Sequence, residues 1–128
     1  MNMKRRYYLV FGVAAIAALV SGCVGQGPDL EFTSGLCDKT VDPRETNMGV
    51  AKTEWLDDTT LVVTVYVGIN CAEEIEGGGF QIFDSRIILE YTCPKCETCT
   101  FCLCAQELTY KFTNLEKKEY QFEIERIT

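Results

Sequence analysis

Between positions 61 and 67 the chain alternates strictly. Leu61, Val63, Val65 and Val67 fall on one side of an extended backbone, and Val62, Thr64 and Tyr66 on the other. The same period returns at Ile87, Leu89 and Tyr91, at Leu108, Tyr110 and Phe112, and at Tyr120, Phe122 and Ile124. A period of two belongs to a strand with two distinct faces; a helix needs a period near 3.6. β-Branched and aromatic residues fill these segments, as a pleated surface favours. No amphipathic helical window of useful length interrupts them.

Turn-forming groups separate the alternating segments. Asp42-Pro43-Arg44, Asp57-Asp58-Thr59-Thr60 and Asp84-Ser85 each punctuate the chain. This spacing predicts a first edge strand around 30–32, a hairpin over 48–67, and strands beginning at Phe80 and at Ile87. Residues 73–79 are expected to form a loop with Gly77-Gly78-Gly79 as its flexible end. A last hairpin is expected to pair 108–112 with 120–124 across a turn at 114–118. About seven short strands make an all-β domain, expected as an antiparallel β-sandwich. Trp55, the only Trp, is expected to fill the core or its rim. Asn114-Leu115 followed by Tyr120-Gln121-Phe122 resembles the last hairpin of immunoglobulin-like and fibronectin-type sandwiches. The resemblance implies that Tyr120 closes a corner between the sheets.

The first residues read as an address. Lys4, Arg5 and Arg6 precede an uncharged apolar run over 9–20, and Ser21-Gly22 follow. This is the layout of a secretory signal. Val20-Ser21-Gly22-Cys23 resembles the lipobox of prokaryotic lipoproteins, which implies that the Cys23 thiol takes a lipid and becomes the first mature residue. The alternative is a retained N-terminal anchor helix over 7–24, at the lower limit for crossing a bilayer. Arg5-Arg6-Tyr7-Tyr8-Leu9 is also similar to a twin-arginine signal. The organisation expected is a signal or anchor over 1–22, a tether over 23–29 and a β-sandwich over 30–128. Basic residues stay inside, so the body is expected on the outer side of the cytoplasmic membrane.

Charge and composition exclude several functions. Removing 1–22 takes away three basic and no acidic residues, so nine Lys and Arg face 19 Asp and Glu, a net charge of −10. Such a body repels phosphate backbones and anionic head groups, so nucleic acid is not expected as a partner. Membrane attachment is left to the lipid or the apolar segment. The chain has no His, which removes the Ser-His-Asp triad, the Cys-His dyad and every His metal site. Ser34 and Ser85 are the only serines past the signal, and neither has an obvious base. Glu73, Glu74 and Glu76 read as solvated charge. Calcium at these residues or at Asp57-Asp58 lacks the spacing of an EF-hand. No catalytic residue is proposed.

Cysteine is the unusual residue here. Besides Cys23 there are Cys37, Cys71, Cys93, Cys96, Cys99, Cys102 and Cys104, five of them in the run Cys-Pro-Lys-Cys-Glu-Thr-Cys-Thr-Phe-Cys-Leu-Cys. Three chemistries fit. Structural disulfides suit a small exported domain, with Cys71 joined to a member of the run and Cys37 pinning the N-terminal edge; seven is odd, so one thiol is left over. A metal site would use Cys93, Cys96, Cys99 and Cys102 for zinc or another thiophilic ion. The run resembles a ferredoxin ligand set in part, but its fourth spacing is x2 and no Pro follows Cys102. A thiol redox site would need a helix opening at a C-x2-C, and none is predicted. Ile69-Asn70-Cys71 with the later Cys-rich turn resembles small prokaryotic lipoproteins of no assigned activity, over roughly 61–124. The reading is a non-enzymatic, membrane-tethered binding or envelope accessory module with no cofactor. The alternative is a metal- or redox-handling protein working through 93–104.

Overall fold

A computed structural model describes residues 27–38 and 48–128. The expected signal or anchor, Cys23, most of the tether and the Asp42-Pro43-Arg44 break lie outside the described residues. Seven strands follow one another: β1 (Asp29–Asp38), β2 (Gly49–Trp55), β3 (Leu61–Asn70), β4 (Gly77–Phe83), β5 (Arg86–Thr92), β6 (Leu103–Thr113) and β7 (Gln121–Ile127). Among the described residues there is no helix, as the alternation predicts. The strands form two sheets, one ordered β1-β6-β3-β2 and the other β4-β5-β7.

Register explains why the alternating residues become one core. Across the larger sheet, Leu30, Phe112, Leu61 and Trp55 fall in one row, and Phe32, Tyr110 and Val63 in the next. Across the smaller sheet, Ile82, Ile87 and Phe122 align, as do Phe80, Leu89 and Ile124. These rows share one apolar cluster, with Phe80 packing edge-on to Phe112 at a ring separation of 5.2 Å. Val63, Val65, Leu108, Tyr110 and Phe112 are fully buried. Trp55 sits half-buried at the rim, 6.5 Å from the Tyr120 ring. The Tyr110 hydroxyl is satisfied by donating to the Glu90 backbone oxygen at 2.6 Å. Burial pushes its pKa well above the usual tyrosine range, so it stays protonated.

Three expectations need correction. First, β6 and β7 are not a hairpin. After β6 the chain crosses to the other sheet, with Asn114 at a φ of 61° and Leu115 buried. The Leu115 N–H donates to the Thr59 oxygen, and the Tyr120 hydroxyl donates to the Glu116 oxygen four residues earlier at 2.6 Å. Tyr120 thus braces the crossing between the sheets. Second, the sheets are not wholly antiparallel. The chain crosses from β5 to β6 and back to β7, reversing each time, so β7 lies parallel to β5.

Third, Gly77-Gly78-Gly79 is not a loop but the start of β4. A Cβ at Gly78 would overlap the Phe32 ring of β1, so glycine here lets the two sheets close on each other. β1 also runs further than 30–32, because a bulge between Ser34 and Cys37 breaks the parity of its apolar residues. Phe32 packs on the core; past Ser34 one extra residue turns Leu36 out to 93% exposure and brings Cys37 inward.

The Gly78 contact makes a direct prediction. Gly78→Ala is expected to destabilise by about 1–3 kcal/mol through overpacking, measured by urea unfolding. In a Phe32→Ala background the cost should shrink, because the two side chains compete for one space. An equal cost in both backgrounds would show that the two do not touch.

Candidate functional site

The two sheets leave two poles. The start of β1 and the turns at 56–60, 84–85 and 114–120 lie at one. At the other lie the ends of β1, β3, β5 and β7, the start of β6 and every cysteine of the described residues. β1 alone, with ten residues, separates the poles by roughly 30 Å.

Six cysteines pair at the second pole. Cys37 bonds Cys104 (Cα–Cα 5.6 Å), Cys71 bonds Cys102 (5.3 Å) and Cys96 bonds Cys99 (5.4 Å). The first ties the edge strand β1 to β6, and the second ties the end of β3 to the approach to β6. They close separations of 67 and 31 residues. By the chain-entropy estimate each contributes about 4 kcal/mol taken alone. Cys96–Cys99 closes only a local turn.

Cys93 is the thiol left over. It is completely buried in the core cluster. Burial pushes its pKa up, the nearby Arg126 guanidinium opposing this and Glu73 and Glu76 adding to it. A buried, protonated thiol is a poor nucleophile. The four thiols of the run-based metal reading are therefore not gathered together. Cys93 is in the core, Cys96 and Cys99 bond each other, and Cys102 bonds Cys71. Among the described residues, the three potential ligand atoms that do converge, within 4.8 Å of one another, belong to Cys37, Cys71 and Cys104.

Polar clamps hold the cysteine loop, and the sequence reading missed them. The Asn70 side chain ends β3 by gripping the loop twice. Its Oδ1 accepts from the N–H groups of Ala72 and Thr100 and from the Thr100 hydroxyl, and its Nδ2 donates to the Thr100 oxygen at 2.7 Å. The Cys71 N–H donates to the Cys102 oxygen beside their disulfide. Asn70 thus matches both sides of the loop, which gives Ile69-Asn70-Cys71 a structural role.

Glu73 corrects a second reading. Glu74 and Glu76 are exposed, but the Glu73 side chain is only 7% exposed. Oε1 accepts from the Asn70 N–H at 2.9 Å and Oε2 from the Cys96 N–H at 3.1 Å. Arg126 of β7 places Nη2 3.0 Å from Oε2, a charge contact without hydrogen-bond alignment, while its Nε donates to the Cys93 oxygen at 3.0 Å. One carboxylate thus joins the end of β3, the cysteine loop and β7. At the opposite pole Asp57 is committed to its own turn, accepting from the Thr59 N–H and hydroxyl. Asp58 lies 3.8 Å from the Lys117 ammonium.

Among the described residues of this pole, the Glu73 carboxylate is committed to backbone N–H groups and Arg126, and the Cys93 thiol is buried. Comparison of the chain with protein-family models, curated proteins and solved structures found no match.

The clamp has a pH signature. Burial works to raise the Glu73 pKa, yet the bonds from Asn70 and Cys96 and the Arg126 charge outweigh it, and the net shift is downward. A carboxyl with a folded pKa below its unfolded one stabilises the fold above the unfolded pKa. That contribution is lost as pH falls through the folded pKa. Glu73→Gln is therefore expected to cost about 2 kcal/mol at neutral pH, within the range for losing hydrogen bonds to a charged group. Thermal melts of both proteins should converge as the pH drops below the ordinary carboxylate range. A pH-independent difference would show that the Glu73 charge is not what matters.

Proposed function

We propose that this chain is an exported, membrane-tethered, non-enzymatic β domain: a binding or envelope accessory module held rigid by its cysteines. The observation that carries it is the pairing of six cysteines at the pole opposite the start of β1. Stable disulfides belong to oxidising, extracytoplasmic compartments. The lipobox-like Val20-Ser21-Gly22-Cys23 gives the same location independently. Six paired cysteines, a buried Cys93 and a lipid on Cys23 use all eight.

The geometry supports a role in contact rather than catalysis. The start of β1, to which the expected tether leads, lies at the pole opposite the cysteines. At the cysteine pole Leu36 and Phe101 stand almost wholly exposed and Leu103 about half exposed, on backbone stiffened by disulfides and by Asn70. Ordering that surface in advance lowers the entropy lost on contact. The Tyr120 brace between the sheets supports an immunoglobulin-like sandwich as the finer description, with the parallel β5–β7 pair as its departure.

Two measurements on protein taken from the membrane fraction test this reading. Intact mass should show loss of 1–22 and at least two acyl chains on Cys23, since one chain anchors only marginally. Non-reducing peptide mapping should recover Cys37–Cys104, Cys71–Cys102 and Cys96–Cys99, with Cys93 alkylated only after denaturation. Met1 retained in a soluble protein, or free thiols at all seven cysteines beyond Cys23, would overturn it.

A further inference from the structure

We propose that, when its two strand-linking disulfides are reduced, the chain binds one thiophilic divalent ion, zinc above all, through Cys37, Cys71, Cys104 and Cys102. This goes beyond the accessory-module reading and uses a different ligand set from the contiguous run.

The first argument is convergence. The sulfurs of Cys37, Cys71 and Cys104 come from β1, the end of β3 and β6, yet lie within 4.8 Å of one another. Four thiolates around zinc at about 2.3 Å sit roughly 3.8 Å apart. Three sulfurs therefore need to move by about an ångström to share one ion. Cys102 supplies the fourth: its sulfur stands outside that group of three but is bonded to that of Cys71, so that reduction frees it beside the site, and its backbone oxygen accepts from the Cys71 N–H.

The second argument is that backbone pairing and polar contacts fix these segments in addition to the disulfides. Ladders join β1 to β6, resuming after the bulge at Ser34 to place Cys37 opposite Gln106, and β6 to β3, placing Ile69 opposite Cys104. Asn70 holds the loop carrying Cys102 through Thr100. Cys104 is buried and Cys37, Cys71 and Cys102 are half-buried, which suits a closed site with no place for substrate water. Cys96 and Cys99 make a poor alternative, since Cys99 is exposed and the pair closes only a local turn.

The chemistry balances. Each disulfide gains two electrons and two protons from two molecules of a low-molecular-weight thiol, which leave joined as their own disulfide. The four protein thiols then release four protons as four metal–sulfur bonds form. One pole is thereby closed by two disulfides in the oxidised state and by one ion in the reduced state.

The test uses the chain reduced with a phosphine, which converts each disulfide to two thiols and becomes its oxide by taking oxygen from water. Titration with Co2+ should reach one equivalent per chain, with thiolate-to-cobalt charge transfer and the visible bands of a tetrahedral ion, and Zn2+ should displace it. The oxidised chain should bind none. Cys37→Ser and Cys104→Ser should each weaken binding by more than about 100-fold, beyond the effect of losing an outer-shell partner. The double variant Cys96→Ser/Cys99→Ser should bind as the parent does. Alkylation of the reduced, cobalt-loaded parent supplies a readout free of folding defects: Cys37, Cys71, Cys102 and Cys104 should be protected while Cys96 and Cys99 are labelled. No binding by the reduced chain, or protection of Cys96 and Cys99 in place of Cys37 and Cys104, would overturn the proposal. Either result would leave the disulfide map, and the function it supports, untouched.

Discussion

β3 and β6 pair over ten residues, from Leu61 opposite Phe112 to Asn70 opposite Leu103. Every other element takes its place from that ladder. β1 and β2 extend it on either side, and the core is laid on its inner face by Leu61, Val63 and Val65 facing Leu108, Tyr110 and Phe112. The strands are far apart in sequence, so their meeting closes a long loop at an entropic cost. Cys71–Cys102 offsets part of that cost at the end of the ladder where the loop emerges. The whole smaller sheet except β7 is threaded through the segment this bond encloses.

Chemistry is divided between the poles in a way the ladder imposes. Because β1, β3 and β6 all end or begin at one pole, their terminal cysteines are neighbours although they stand at 37, 71 and 104. The same geometry allows Glu73, just past β3, to meet Arg126 near the end of β7 and the Cys96 N–H in the loop. A buried charge is tolerated only when paired and hydrogen-bonded, and Glu73 meets both conditions. At the opposite pole Asp57 is bonded within its own turn by Thr59, and Tyr120 by Glu116, while the Leu115 N–H joins two turns through the Thr59 oxygen. Sulfur, the Glu73–Arg126 charge pair and the exposed apolar Leu36, Phe101 and Leu103 coincide at one pole.

Much of this was legible in the residues. Alternation at 61–67, 87–91, 108–112 and 120–124 marks strands and their buried faces, because side-chain direction along a strand depends on local backbone alone. The odd cysteine, the pairing of Cys71 with the run and the role of Cys37 at the N-terminal edge are consistent with the bonds the structure contains. Less legible was anything set by parity or by distant contact. The bulge after Ser34 shifts the pattern by one residue and hid the second half of β1. Gly77-Gly78-Gly79 has the composition of a loop but pairs as a strand with Thr92, Tyr91 and Glu90 of β5, and Phe32 occupies the space above Gly78. Glu73 has the composition of a solvated charge and is fixed by an arginine 53 positions later.

The sequence by itself determined that the chain is built of strands, which side chains face inward, that no His chemistry is possible, and that a basic, apolar, Cys-ended segment precedes the body. These follow from residue type and near-neighbour spacing. Only the tertiary structure decided that 108–113 and 121–127 lie in different sheets, that β7 runs parallel to β5, which cysteine bonds which, and that Cys37, Cys71 and Cys104 converge. The physical reason is that a strand with one apolar face buries the same area whether it pairs with its predecessor or crosses to the opposite sheet. The choice between them is made by contacts formed only once all seven strands are in place.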